Sequence, residues 1–112
     1  MAARIRRRLK AAQDAEDIAD FIANDSLEAA VRFLDNTELT LAVLADSPGI
    51  GGPFESDHPE LAHLRFRRVK GFPNHVIFYI DRTDAIEVVR ILHGAQDLDT
   101  ELSKTGRTPG TH

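Results

Sequence analysis

The sequence predicts an α+β domain of order β-α-α-β-β-β: an N-terminal strand, an antiparallel helical hairpin and a three-stranded antiparallel meander. Three observations lead there. Apolar residues recur at three- and four-residue steps between residues 11 and 44, crowd into short strand-like runs between 64 and 93, and turn signals of a few residues separate those runs. With 112 residues and no cysteine, the chain has one domain's length and buries about two-thirds of the surface its unfolded form exposes, enough for a core without disulfides.

Residues 3–9 read as a short strand, with Ile5 and Leu9 on one face and Arg4, Arg6 and Arg8 on the other. Arg7 interrupts the apolar face, which suggests an edge position or a side chain that snorkels outward. From Ala11 the period becomes helical: Ala15, Ile18, Ala19 and Ile22 form one side, and Asp14, Asp17 and Asp20 mark another. Asn24-Asp25-Ser26 breaks this helix, and Asp25 with Glu28 is expected to cap the next one, with Ser26 also contributing helix-start chemistry. In the second helix Leu27, Ala30, Val31, Leu34, Leu41 and Leu44 make the expected apolar stripe, and Pro48-Gly49 ends it. The short break between the helices implies a hairpin.

Residues 46–60 carry Pro48, Gly49, Gly51, Gly52, Pro53 and Pro59, and are expected to form one long irregular, flexible loop. Strands follow at Leu64 to Lys70, His75 to Asp81 and Ala85 to His93, joined by Gly71-Phe72-Pro73-Asn74 and Arg82-Thr83-Asp84, spacings that demand antiparallel hairpins. The middle strand is apolar on both faces, as a central strand covered on both sides would be. The reading places one domain at residues 1–102 and a small, polar, flexible tail at 103–112.

Charge is unevenly distributed beneath a net value of −4. Residues 11–63 hold twelve acidic side chains and one basic one, Arg32, whereas residues 1–10 hold five basic side chains and no acidic one. A second basic run, Arg65, Arg67, Arg68 and Lys70, falls on the first meander strand. The domain therefore has an electropositive sheet region, suited to steering an anionic partner, and an electronegative helical layer. The overall charge argues against holding nucleic acid chiefly by neutralising phosphates. The longest apolar stretch, Val76 to Ile80, is far below the ~18 residues of a membrane span, and the Arg-rich start lacks a signal core, so a cytoplasmic protein without membrane contact is expected.

Few residues offer chemistry. Gly49-Ile50-Gly51-Gly52 follows a helix and so cannot present amides to a phosphate at a helix N-terminus. His58 and His63 lie near Asp57 and Glu60, yet their spacing matches no metal box; no metal and no cofactor are expected. More informative is the last strand's exit, Arg90-Ile91-Leu92-His93-Gly94-Ala95-Gln96-Asp97-Leu98. An Arg inside an apolar strand must reach an acidic partner or the surface. His93, a histidine at the strand's exit, is the nearby side chain suited to shuttling a proton, while Asp97 can start a last helical turn. The residues favour a structural role for Arg90, His93 and Asp97 over catalysis. Arg65 and Arg67 share one face of their strand and would join Arg90 in a basic patch if the registers coincide.

Together the element order and several strings resemble the RelE/ParE superfamily of type II toxins, also known as plasmid stabilisation proteins. The strings are Asp17-Ile18-Ala19-Asp20-Phe21-Ile22-Ala23, Leu44-Ala45-Asp46-Ser47-Pro48-Gly49, Leu64-Arg65 before Gly71-Phe72-Pro73-Asn74-His75-Val76-Ile77-Phe78-Tyr79, and Val89-Arg90-Ile91-Leu92-His93-Gly94 with Asp97-Leu98. The resemblance implies a toxin in a hetero-oligomer with a cognate, ParD-like antitoxin. It also implies one of two activities: ribosome-dependent mRNA cleavage in the RelE branch, or DNA gyrase inhibition without RNA cleavage in the ParE branch. RelE-like enzymes place an Arg just after the last-strand His and an aromatic or basic residue beyond it, where this sequence has Gly94, Ala95 and Gln96. None of these can stabilise a phosphorane or protonate a leaving oxygen, so the ParE-like branch is expected. Gln96 also stands where many ParE-like chains carry an Arg before the Asp. Arg65, Arg67, Arg68, Arg90, His93 and Asp97 are the expected antitoxin- or target-binding residues; for a nuclease, His93 and Arg90, with Arg65 and Arg67, would be the catalytic candidates.

Overall fold

A computed structural model describes residues 3–106 of the chain. Its elements are β1 (Arg4–Arg7), α1 (Leu9–Ala23), α2 (Leu27–Asp46), β2 (Gly52–Pro53), β3 (Arg65–Val69), β4 (Phe72–Asp81), β5 (Ala85–His93) and α3 (Leu98–Gly106). They build one five-stranded sheet in the order β1-β5-β4-β3-β2. The meander β3-β4-β5 is antiparallel, as its tight turns require, and β1 closes one edge parallel to β5.

Both faces of the sheet are covered. Under the helical hairpin lie Phe33, Leu41 and Leu44 of α2 against Ile77, Tyr79, Val88 and Ile91. On the other face Val76, Phe78, Val89 and Leu92 pack with Leu61, Leu64 and Leu102, the last from α3. This double burial explains why β4 reads as apolar on alternate and intervening positions alike.

Several expectations are corrected. The strand at the start ends at Arg7, because Leu9 already opens α1, where it is 76% exposed. Arg7 is exposed and reaches over to Glu38 of α2 at 2.6 Å. The cap of α2 is Ser26 and not Asp25: Ser26 has extended backbone, and its Oγ accepts the Ala29 N–H at 3.1 Å. Helix α2 is also turned relative to the expected stripe. Phe33, Thr37 and Thr40 are buried, whereas Leu27, Val31 and Leu34 are exposed. Burial of the two threonines is tolerated because their hydroxyls donate to the Phe33 and Asn36 carbonyls, each at 2.7 Å.

The segment expected to be an irregular, flexible loop is more ordered than its composition suggests. Pro48–Ile50 and Pro59–Leu61 form 3-10 turns, and Gly52–Pro53 pairs with β3 as a minimal edge strand. Tyr79 locks it in place: its buried hydroxyl donates to the Pro48 carbonyl at 2.7 Å and accepts the Gly51 N–H at 3.0 Å. Strand β4 begins at Phe72, three residues before the expected start, since Gly71 takes a left-handed turn (φ 76°) that lets Phe72 pair with Val69 at once. Helix α3 runs to Gly106, into the 103–112 stretch expected to be a tail, and residues 107–112 lie outside the described ones. Among the described residues no helix is long and apolar enough to cross a membrane.

Candidate functional site

The sequence-predicted residues sort into three places. Arg90 lies in the interior. Strand β5 carries a bulge opposite Phe78 and Tyr79, where Phe78 pairs with Arg90 and Tyr79 with Val88, leaving Val89 as the extra residue. This resets the alternation, so Val88 and Ile91 both join the cluster under the helices, although they are three residues apart. Between them Arg90, 6% exposed, reaches Asp14 of α1. Its Nε–H donates to Asp14 Oδ2 at 2.7 Å and its Nη2 to Oδ1 at 3.0 Å, a bidentate fork. Asp14 Oδ2 also accepts the Ile91 N–H at 3.0 Å. Arg90 therefore has the acidic partner the sequence demanded, and it does not join Arg65 and Arg67 in a surface patch.

His93 closes β5 on the exposed side, opposite His75 across the ladder, with the two rings 5.2 Å apart and nearly perpendicular. Its imidazole is held by the following turn: Nδ1 accepts the Ala95 N–H at 3.0 Å. Gln96 completes that turn, its side-chain oxygen accepting the His93 N–H at 2.9 Å. Asp97 starts α3, with Oδ1 accepting the Thr100 N–H at 3.2 Å and Oδ2 the Thr100 hydroxyl at 2.8 Å. His75 packs edge-on against Phe33, ring centroids 5.3 Å apart. Burial, and secondarily the nearby His93, lower the pKa of His75.

The remaining cations form the surface. Arg65 is tied down, its Nη2 donating to the Gly49 carbonyl at 3.0 Å. Arg67, Arg68 and Lys70 are exposed, and among the described residues none of them has a salt bridge. With Leu39, Thr40 and Val43 of α2 they line a groove of about 330 Å³ between the helix and β3. Leu39 is 53% and Val43 46% exposed, so apolar anchors and cations share one cleft. Lys70 is positioned by α2, its N–H donating to Thr40 Oγ1 at 3.1 Å. The groove's helical wall was missed in the sequence, though the four-residue step from Leu39 to Val43 carries its signal.

The candidates do not converge. Arg67 pairs with Ile77 and His93 with His75, which sets Arg67 and His93 two strands and two residues apart, about 10 Å across the sheet and 7 Å along it. Among the described residues no three His, Asp or Glu side chains gather as a metal-holding group; His58 and Glu60 meet only as an exposed pair at 3.7 Å.

Residues 5–98 match the family model described as ParE toxin of the type II toxin–antitoxin system parDE. The chain belongs to the ParE toxin family. Its fold is similar to that in the chromosomal ParDE toxin–antitoxin system from P. aeruginosa, with 17% identity over 82% of this chain and 96% of that one and a TM-score of 0.65. It is also similar to the RelBE2 toxin–antitoxin complex from Mycobacterium tuberculosis, with 19% identity over 86% and 95% of the two chains and a TM-score of 0.55. No curated protein matches the chain. As a ParE family member it shares the mixed sheet under a helical hairpin.

Proposed function

We propose that the chain is a binding toxin without nuclease chemistry of its own, that it inhibits DNA gyrase, and that a cognate ParD-like antitoxin neutralises it. The observation that carries this reading is the dispersal of cations around His93. Cleavage through a ribose 2′-hydroxyl needs a base, cations for the developing phosphorane and an acid for the leaving oxygen, all within hydrogen-bond reach of one phosphate. Here Arg90 is buried on Asp14, Arg65 is bound to Gly49, Arg67 is strands away, and Gln96 is occupied in the turn that holds His93.

The groove between α2 and β3 suits the antitoxin. An amphipathic segment laying aliphatic side chains against Leu39 and Val43, with carboxylates toward Arg67, Arg68 and Lys70, would satisfy both components of the cleft. Purified toxin is tested in two assays. Loss of gyrase supercoiling with intact messages on translating ribosomes, unchanged in His93→Ala, is expected; message cleavage that disappears in His93→Ala would overturn the reading.

A further inference from the structure

Helix α2 carries two apolar stripes, and the described residues cover only one. Phe33, Leu41 and Leu44 face the sheet. On the other side Leu27, Val31, Asp35, Leu39 and Val43 follow one another at four-residue steps, a single ridge about 24 Å long. The four apolar members are 72%, 50%, 53% and 46% exposed in chain order, and Asp35 at the midpoint is exposed as well.

The ridge changes charge along its length. Its N-terminal half is bordered by the exposed Asp25 and by Glu28, which also pairs with Arg32 at 3.5 Å, and its C-terminal half, where Glu38 is already paired with Arg7, by Arg67, Arg68 and Lys70 across the groove. A two-fold axis through the midpoint reverses one copy against the other, so each acidic half lies over the opposing basic half. A foreign helix would need the same gradient at the same spacing to satisfy both ends; a second copy has it by symmetry. Ridges built from four-residue rows also interdigitate with one another, at a crossing angle near −50°.

We propose that α2 is a self-association surface on which a second copy of this chain docks about a two-fold axis near Asp35, its N-terminal half passing over the partner's α2–β3 groove. The crossing brings Val31 and Leu39 of each copy together at the centre. It also brings two Asp35 carboxylates near the axis, the one unfavourable pairing, and Arg32 stands within a turn of it on each copy. Because the groove is shared with the antitoxin seat, antitoxin and second copy compete for it.

Sedimentation of the purified, antitoxin-free chain over a wide concentration series tests this. A reversible monomer–dimer equilibrium is expected, weaker at high salt because the end contacts are ionic. Val31→Lys, at an exposed site outside the groove, should weaken dimerisation roughly tenfold or more, with unchanged thermal melting and unchanged antitoxin affinity. Asp35→Asn should tighten it. Glu28→Lys or Lys70→Glu alone should weaken it, and the two combined should restore it. A chain that stays monomeric throughout, or a dimer indifferent to both Val31→Lys and Asp35→Asn, would overturn the inference. A monomer that still captures antitoxin and inhibits gyrase would do so while leaving the functional reading intact.

Discussion

Replacing Asp14 with Ala tests the internal logic of the fold most directly. The carboxylate accepts three donors, Arg90 Nε at 2.7 Å, Arg90 Nη2 at 3.0 Å and Ile91 N at 3.0 Å, and both side chains of the pair are only 8% exposed. Removing one partner of a buried pair takes away the compensation for the other's lost hydration, at about 3–5 kcal/mol. That is a large fraction of the ~5–15 kcal/mol by which a domain of this size is stable, and at roughly 4 °C per kcal/mol it lowers the melting temperature by about 12–20 °C. Urea and thermal melts followed by circular dichroism measure it. The companion variant Asp14→Leu with Arg90→Met should recover most of the loss, because apolar residues of similar size need no compensation. A loss below ~1 kcal/mol in Asp14→Ala, or a double variant as unstable as the two single losses added, would refute the reasoning.

Gly51→Ala should destabilise by roughly 1–3 kcal/mol in the same melts, since its Cβ would collide with the Tyr79 hydroxyl and lie 2.8 Å from the Phe66 carbonyl. Acidification should weaken the fold through His75: its folded pKa lies below the unfolded value, so the unfolded chain binds the extra proton. The stabilisation is present above about pH 6.5 and declines as pH falls below that, and His75→Gln should flatten this part of a urea-midpoint against pH curve. Glu87, whose pKa is lowered first by the hydrogen bond from Arg8, against the opposing effect of burial and with help from Arg82, acts in the same direction at lower pH: its contribution is present above about pH 4.3 and lost on further acidification. Arg67→Glu or Lys70→Glu should weaken antitoxin binding roughly tenfold, most at low salt and chiefly through association rate, as surface plasmon resonance would report.

What was legible in the sequence follows from how locally each feature is encoded. The meander was readable because Gly71 and the Arg82-Thr83-Asp84 turn fold each strand back antiparallel on the one before it, and β5 spans Ala85–His93 as expected. Pairing β1 with β5 brings together residues some eighty positions apart, for which no local pattern exists. Helix α2 was ambiguous by construction, for it carries two interleaved apolar stripes, and the buried one includes Thr37 and Thr40, polar by composition but satisfied within the helix. Asp14 reads with Asp17 and Asp20 as part of the acidic side, yet it stands three residues after Ala11 and four before Ile18, inside the apolar stripe. That position was the available signal that an acid there must have a buried partner.

The bulge in β5 links fold to function. Without Val89 as an extra residue, strict alternation would put Ile91 on the opposite face from Val88. With it, the Ile91 N–H turns to Asp14 Oδ2, and the guanidinium of Arg90 is committed to the same carboxylate beneath α1. A cation held this way cannot approach a phosphate at His93 unless the pair is broken, which the stability argument above makes costly. Of the candidate cations, Arg67, Arg68 and Lys70 stay exposed, and they stand beside the exposed aliphatic side chains of α2, with Arg67 two strands from His93. A cleft of that composition discriminates among partners by shape and charge, so specificity for antitoxin, and the contest with a second copy, should both map to α2 and β3 and be insensitive to His93. Isothermal titration of His93→Ala with antitoxin checks this: affinity within about twofold of the parent chain is expected, and a tenfold loss would place the imbalance at the end of β5 instead.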